Sequence, residues 1–126
     1  MKRLWIGAAV LLILLVGGIL STIFLYHFHQ GLTTTLDQAA SSAQDGQWQQ
    51  ALSLYHDARQ DWQRHYRFSA AFTDHEPLEE MDQLFATLAV CENQGLIEKF
   101  ILTCTQLSHL SQAVGDSHVP HWWNIL

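Results

Sequence analysis

No Asp, Glu, Lys or Arg occurs between Arg3 and Asp37. Proline and cysteine each occur only twice, and β-branched runs are few. The scarcity of strand signals argues against a sheet and for an all-α chain. Two cysteines, Cys91 and Cys104, cannot build a disulfide framework. They read as small buried hydrophobes, with one disulfide or metal ligation as the alternatives. Six basic residues face twelve acidic ones. Lys2 and Arg3 precede the uncharged stretch, so the remainder carries four basic and twelve acidic residues, a formal charge of −8. Such a surface binds nucleic acid poorly and has little electrostatic hold on anionic lipid. The chain has no His-Glu-x-x-His, no paired Cys-x-x-Cys, no Gly-x-Ser-x-Gly and no phosphate-cradling glycine loop. The chain is therefore expected not to be an enzyme, and no cofactor is implied.

What is present begins with residues 4–26, LWIGAAVLLILLVGGILSTIFLY. A helix rises about 1.5 Å per residue, so this run can cross a hydrocarbon core of about 30 Å. It is longer than the apolar part of a cleavable signal peptide and is followed by no Ala-x-Ala site. We read it as an uncleaved signal-anchor. Lys2 and Arg3 precede it, and no further Lys or Arg appears before Arg59. The positive-inside rule then sets the N-terminus in the cytoplasm of a single-pass cell-membrane protein, with the C-terminal domain extracytoplasmic. Gly17 and Ser21, with Gly18 and Thr22, are small-xxx-small pairs that permit close helix contact in lipid and a homo-oligomer. The expected organisation is an N-terminal transmembrane signal-anchor over residues 1–28, a stalk or short helix over 29–46, in which Thr33 to Ala43 either extends the membrane helix outward or forms a helix of its own, and an extracytoplasmic helical domain over 47–126.

After the turn at Asp45-Gly46, Trp48, Ala51, Tyr55, Ala58, Trp62 and Tyr66 recur at helical steps. Phe68 to Phe72 leads into a break before Pro77, where Thr73 or Asp74 can cap the next helix. Leu78, Met81, Phe85 and Leu88 form that helix's stripe, and Gly95 suits its stop. Ile97, Phe100, Cys104, Leu107 and Val114 mark a last helix, with Gly115-Asp116 expected to end it. The apolar tail, with Trp122, Trp123, Ile125 and Leu126, is expected to fold back. The fold class is all-α, one N-terminal transmembrane helix followed by a small antiparallel helical bundle.

Eight histidines are the compositional oddity. Histidine binds metals and titrates near neutrality. Asp57, Asp61 and His65 share a helix face, His118 and His121 are three apart, and His75 lies between Asp74 and Glu76. The metal candidates are therefore Asp61, His65, His75, His118 and His121, against the plainer reading of a surface helical pair, a helix cap and tail residues. The aromatic set exceeds the needs of a small bundle; most of it reads as core, and part of it as an exposed patch. Trp62, Tyr66, Phe72, Trp122 and Trp123 are the candidates for binding a partner.

Two resemblances accompany these patterns. Gly46-x-Trp48-x-x-Ala51-x-x-x-Tyr55-x-x-Ala58-x-x-x-Trp62 is similar to part of a tetratricopeptide helix pair. Such repeats need about three copies, so this one is a helical-hairpin pattern. Met1-Lys2-Arg3, Trp48 to Ala51, Trp62 to Phe72, Asp74-His75-Glu76 and Asn124-Ile125-Leu126 together resemble an uncharacterised family of small single-span membrane proteins, mainly of spore-forming Gram-positive bacteria, known as domain of unknown function 4363. The resemblance implies a fold and a location but no catalytic residue. The chain departs from it in its histidines, its cysteines and its few lysines. The expected role is a non-enzymatic accessory or scaffolding subunit that touches the lipid bilayer and binds a membrane or envelope protein. The alternative is an extracytoplasmic metal or pH sensor.

Overall fold

The computed structural model describes residues 1–117, with Phe72 in its backbone only. Four helices fill them: α1 Lys2–Gln44, α2 Trp48–Phe72, α3 His75–Gln94 and α4 Ile97–Ser117. No strand occurs among the described residues.

The longest element, α1, has 43 residues and extends about 64 Å at the usual rise. Its two halves differ in kind. The first is apolar around its whole circumference and exposed, and it is long and apolar enough to cross a membrane. The second is amphipathic. Leu25, His29, Leu32, Leu36, Ala39 and Ala43 follow one another at steps of three or four and are buried. Residues 29–44, read from the sequence within a stalk or short helix, continue α1 without a break and fill one quarter of the bundle. The cause is that Thr33, Thr34 and Thr35 satisfy their hydroxyls locally or against α4, so three β-branched polar residues do not interrupt the helix.

α2 turns back at Asp45-Gly46-Gln47, where Gly46 takes φ +79° at no steric cost. Its stripe of Ala51, Tyr55, Ala58 and Trp62 packs against α1. At the other end, Thr73 is extended and Asp74 holds the N-cap position of α3. α3 ends in a Schellman motif. Gly95 is left-handed at φ 65°, Leu96 N–H donates to the Cys91 carbonyl at 3.0 Å, and Gly95 N–H donates to Glu92 at 3.4 Å. α4 then packs along α1 and α3, while α2 and α3 touch more sparsely than the other three packed pairs.

Gly115-Asp116 does not end α4, which runs on to Ser117. Gly115 is buried where α4 crosses α1, and a Cβ there would stand 2.9 Å from His29 Cβ. The glycine permits a close approach between helices, and the helical backbone continues through it.

Candidate functional site

Where α1 passes from its bare half into the bundle, an aromatic cluster joins it to α2. Phe24 meets Phe68 edge-on at 5.2 Å between ring centroids and His65 at 5.5 Å. Phe28 lies 4.6 Å from His65 and 5.1 Å from His29. Deeper in, Trp62 contacts Tyr66 edge-on at 5.5 Å and stacks on Phe85 at 5.9 Å. Such pairs add about 0.5–1.5 kcal/mol each beyond area burial. Trp62 Nε1–H also donates to Asp82 at 2.6 Å, so bond and stacking together tie α2 to α3 at this level.

His29, a histidine on an apolar stripe, is fully buried. Ser111 Oγ donates its only proton to the His29 carbonyl at 3.0 Å. The same oxygen therefore accepts from His29 Nδ1–H, 3.4 Å away. The pair links α1 to α4 beside Gly115. The sequence offers one signal for it: His29 falls on the stripe of Leu25, Leu32 and Leu36.

The metal candidates do not come together. Asp61 is exposed, and His65 donates from Nδ1 to the Asp61 main-chain carbonyl at 2.9 Å while its ring packs on Phe24 and Phe28. His75 is exposed at the start of α3. His118 and His121 lie outside the described residues. Among the described residues no group of three or more His, Cys, Asp or Glu side chains is placed to hold a metal. His56, which the sequence did not single out, donates from Nε2 to the Glu92 carboxylate at 2.7 Å, a second tie between α2 and α3.

Cys91 and Cys104 are both free and buried. Burial raises both thiols. Cys104 is pushed from 9.0 up to about 12, first by burial and then by the nearby Cys91 and Asp37. Lys99 partly opposes the rise at Cys91. A thiol held neutral is a poor nucleophile and a poor metal ligand. Burial also raises the Tyr55 phenol, against Arg59.

Of the partner candidates, Trp62 is only 2% exposed and belongs to the core. Tyr66 is half-buried against it. The Phe72 side chain, Trp122 and Trp123 lie outside the described residues. Exposed apolar side chains gather elsewhere: Val90, Leu96, Ile97 and Leu102 lie within about two turns of the α3–α4 connection, from 38% to 59% exposed. In the bare half of α1, a Cβ added at Gly17 or Gly18 would meet nothing within 4 Å, and the Thr22 hydroxyl donates back to the Gly18 carbonyl at 3.0 Å.

A cleft of about 400 Å³ opens between the α2–α3 connection and the end of α4. Thr73, Pro77, Leu110 and Val114 line it, and Asp74 is its ionisable group. Among the described residues this lining holds no nucleophile–base pair.

No curated protein and no solved structure matches the chain. The profile of the family described as Domain of unknown function (DUF4363) matches residues 19–125, from the end of the bare half of α1 through the whole bundle, and the chain belongs to that family.

Proposed function

We propose that the chain is a single-pass membrane protein, N-terminus in the cytoplasm and bundle outside. It acts there as a non-enzymatic accessory or scaffolding subunit that binds another membrane or envelope protein. The observation that carries this reading is the exposure of the bare half of α1. Leu11, Leu12, Ile13 and Leu14 are 60% to 71% exposed. Successive residues on a helix stand about 100° apart, so these four cover its whole circumference. Each such side chain gains about 1.5–3 kcal/mol on leaving water, and lipid is the solvent that supplies this on every side at once. A core helix of a soluble protein would be buried on at least one face. A cleaved signal peptide is disfavoured by the unbroken passage of α1 into the core at Leu25.

Lys2 and Arg3 support the orientation. The exposed Val90, Leu96, Ile97 and Leu102 support a docking role, since apolar side chains grouped at one end of a small acidic domain suit a protein partner. Gly17 and Gly18, where an added Cβ would meet nothing, together with the half-buried Ser21 offer a second contact, within the membrane.

In-cell crosslinking, detergent solubilisation and mass spectrometry test the reading. One near-stoichiometric membrane or envelope protein is expected with the parent chain. The variant carrying Ile97→Arg and Leu102→Arg is expected to lose it while remaining folded and membrane-bound. Recovery of this chain alone from both would overturn the accessory-subunit role in favour of self-assembly.

A further inference from the structure

The length of the bare helix fixes how high the bundle can stand. Counting from Leu4, the exposed apolar stretch ends at Phe24, and Leu25 is already fully buried in the bundle. Residues 4–24 extend about 31 Å, and the hydrocarbon core is about 30 Å thick. Nothing is left over. A bundle held about 10 Å clear of the bilayer would need roughly seven more residues of bare helix, and any tilt of α1 shortens its reach further.

Resting on the membrane-anchor reading above, we propose that the bundle is seated directly on the bilayer, with the last turns of α2 reaching from the lipid headgroup layer to the edge of the hydrocarbon beside the emerging α1. α2 runs back along α1, and the Phe24–Phe68 and Phe24–His65 contacts put Phe68 and His65 at the depth where the apolar run ends. From Phe68, α2 continues to Phe72, about 6 Å further towards the bare half. The side chains at this depth suit an interface. Phe68 is 38% exposed, Tyr66 is half-buried, and Arg64 and Arg67 are exposed. Aromatic rings favour the headgroup level, and arginine lays its aliphatic stem along apolar surface while its charge stays wet. Asp74, Glu76 and Asp116 are exposed at the same end. The seating is therefore apolar and aromatic, and needs no anionic lipid.

Single spin labels on the full chain, reconstituted in neutral phosphatidylcholine vesicles, test it through collision with oxygen and with a water-soluble nickel chelate. Labels enter at Leu14→Cys, Phe68→Cys, Arg67→Cys and Asn93→Cys, and the parent chain with its two buried cysteines sets the background. Expected are hydrocarbon depth at 14, headgroup depth at 68 and 67, and bulk water at 93. Hydrocarbon depth at 14 with 68 and 67 as water-exposed as 93 would overturn the seating and leave the anchor standing. Bulk water at 14 would overturn the anchor itself, and the seating with it. Arg67 is exposed, so its substitution reports the same depth if that of Phe68 disturbs the fold.

Discussion

The two halves of α1 are one helix held for two different reasons. Residues 2–23 have few neighbours within the chain, and Gly7, Gly17 and Gly18 lower their intrinsic helix propensity; on the anchor reading proposed above, their helicity follows from a backbone that must satisfy itself in lipid. Residues 25–44 carry only one apolar stripe. Their helicity depends on α2 and α4, against which Leu32, Leu36 and Ala39 are buried. Identical secondary structure therefore hides opposite dependence on tertiary contact. Mutations of the same chemistry should separate the halves.

The largest contrast is expected between Leu36→Ala and Leu14→Ala. Leu36 is fully buried, and its truncation should cost about 2–5 kcal/mol in denaturant unfolding of the bundle in detergent. Leu14 is 68% exposed within the chain, so its truncation should leave the same transition unmoved. Equal losses at both sites would break the division.

An alkaline titration reads the packed half from α4's side. The folded Cys104 stays neutral up to about pH 12, whereas the unfolded chain ionises it above 9.0. The unfolded state therefore binds fewer protons in that window, and stability should fall by about 1–4 kcal/mol as pH rises from 9 to 12. Cys104→Ala should lessen that slope, whatever it costs at neutral pH, and leave the part due to the raised Cys91 and Tyr55. An unchanged slope in the variant would show that Cys104 is not its source.

Glycines sharpen the comparison further. Gly115→Ala gains about 1 kcal/mol of helix propensity but pushes a Cβ to within 2.9 Å of His29 Cβ, a rigid point on α1. Overpacking of about 1–3 kcal/mol should prevail, lowering the melting temperature. Gly17→Ala meets nothing within 4 Å in the chain and should leave bundle melting alone. The smallest effect is expected from His56→Ala. The His56 side chain is 52% exposed, so the loss of its bond to Glu92 should cost under about 1 kcal/mol.

The helical class and most of the core were legible because the stripes are regular. Ala51, Tyr55, Ala58 and Trp62, and then Leu78, Met81, Phe85 and Leu88, sit on the core faces that their spacing indicates. Gly46 and Gly95 were legible because each falls where a periodic segment stops, and each has positive φ. Gly115 misled because a glycine needed for close approach and a glycine needed for a turn look alike in sequence; only α1 beside it distinguishes them. Thr33 to Ala43 was legible as a helix that either extends the apolar one or stands as a stalk; that it packs into the core was not, because its stripe includes small side chains, Ala39, Ala40 and Ala43, and carries a histidine. Trp62 reads both as a stripe residue and as a candidate for binding a partner, and the structure gives it the first place, because Asp82 reaches the one polar edge of its ring inside the core. The exposed Val90 and Leu102 gave no signal, since each lies next to a core position on a helix with apolar neighbours.

Anchor and orientation are tested most directly by protease access to the bundle in the native membrane. With an epitope following Leu126, proteinase added to intact protoplasts should remove the bundle, and the same proteinase added to inverted membrane vesicles should leave it whole. A bundle protected in protoplasts and cut in inverted vesicles would contradict the orientation. A bundle released from the membrane without proteolysis would contradict the anchor.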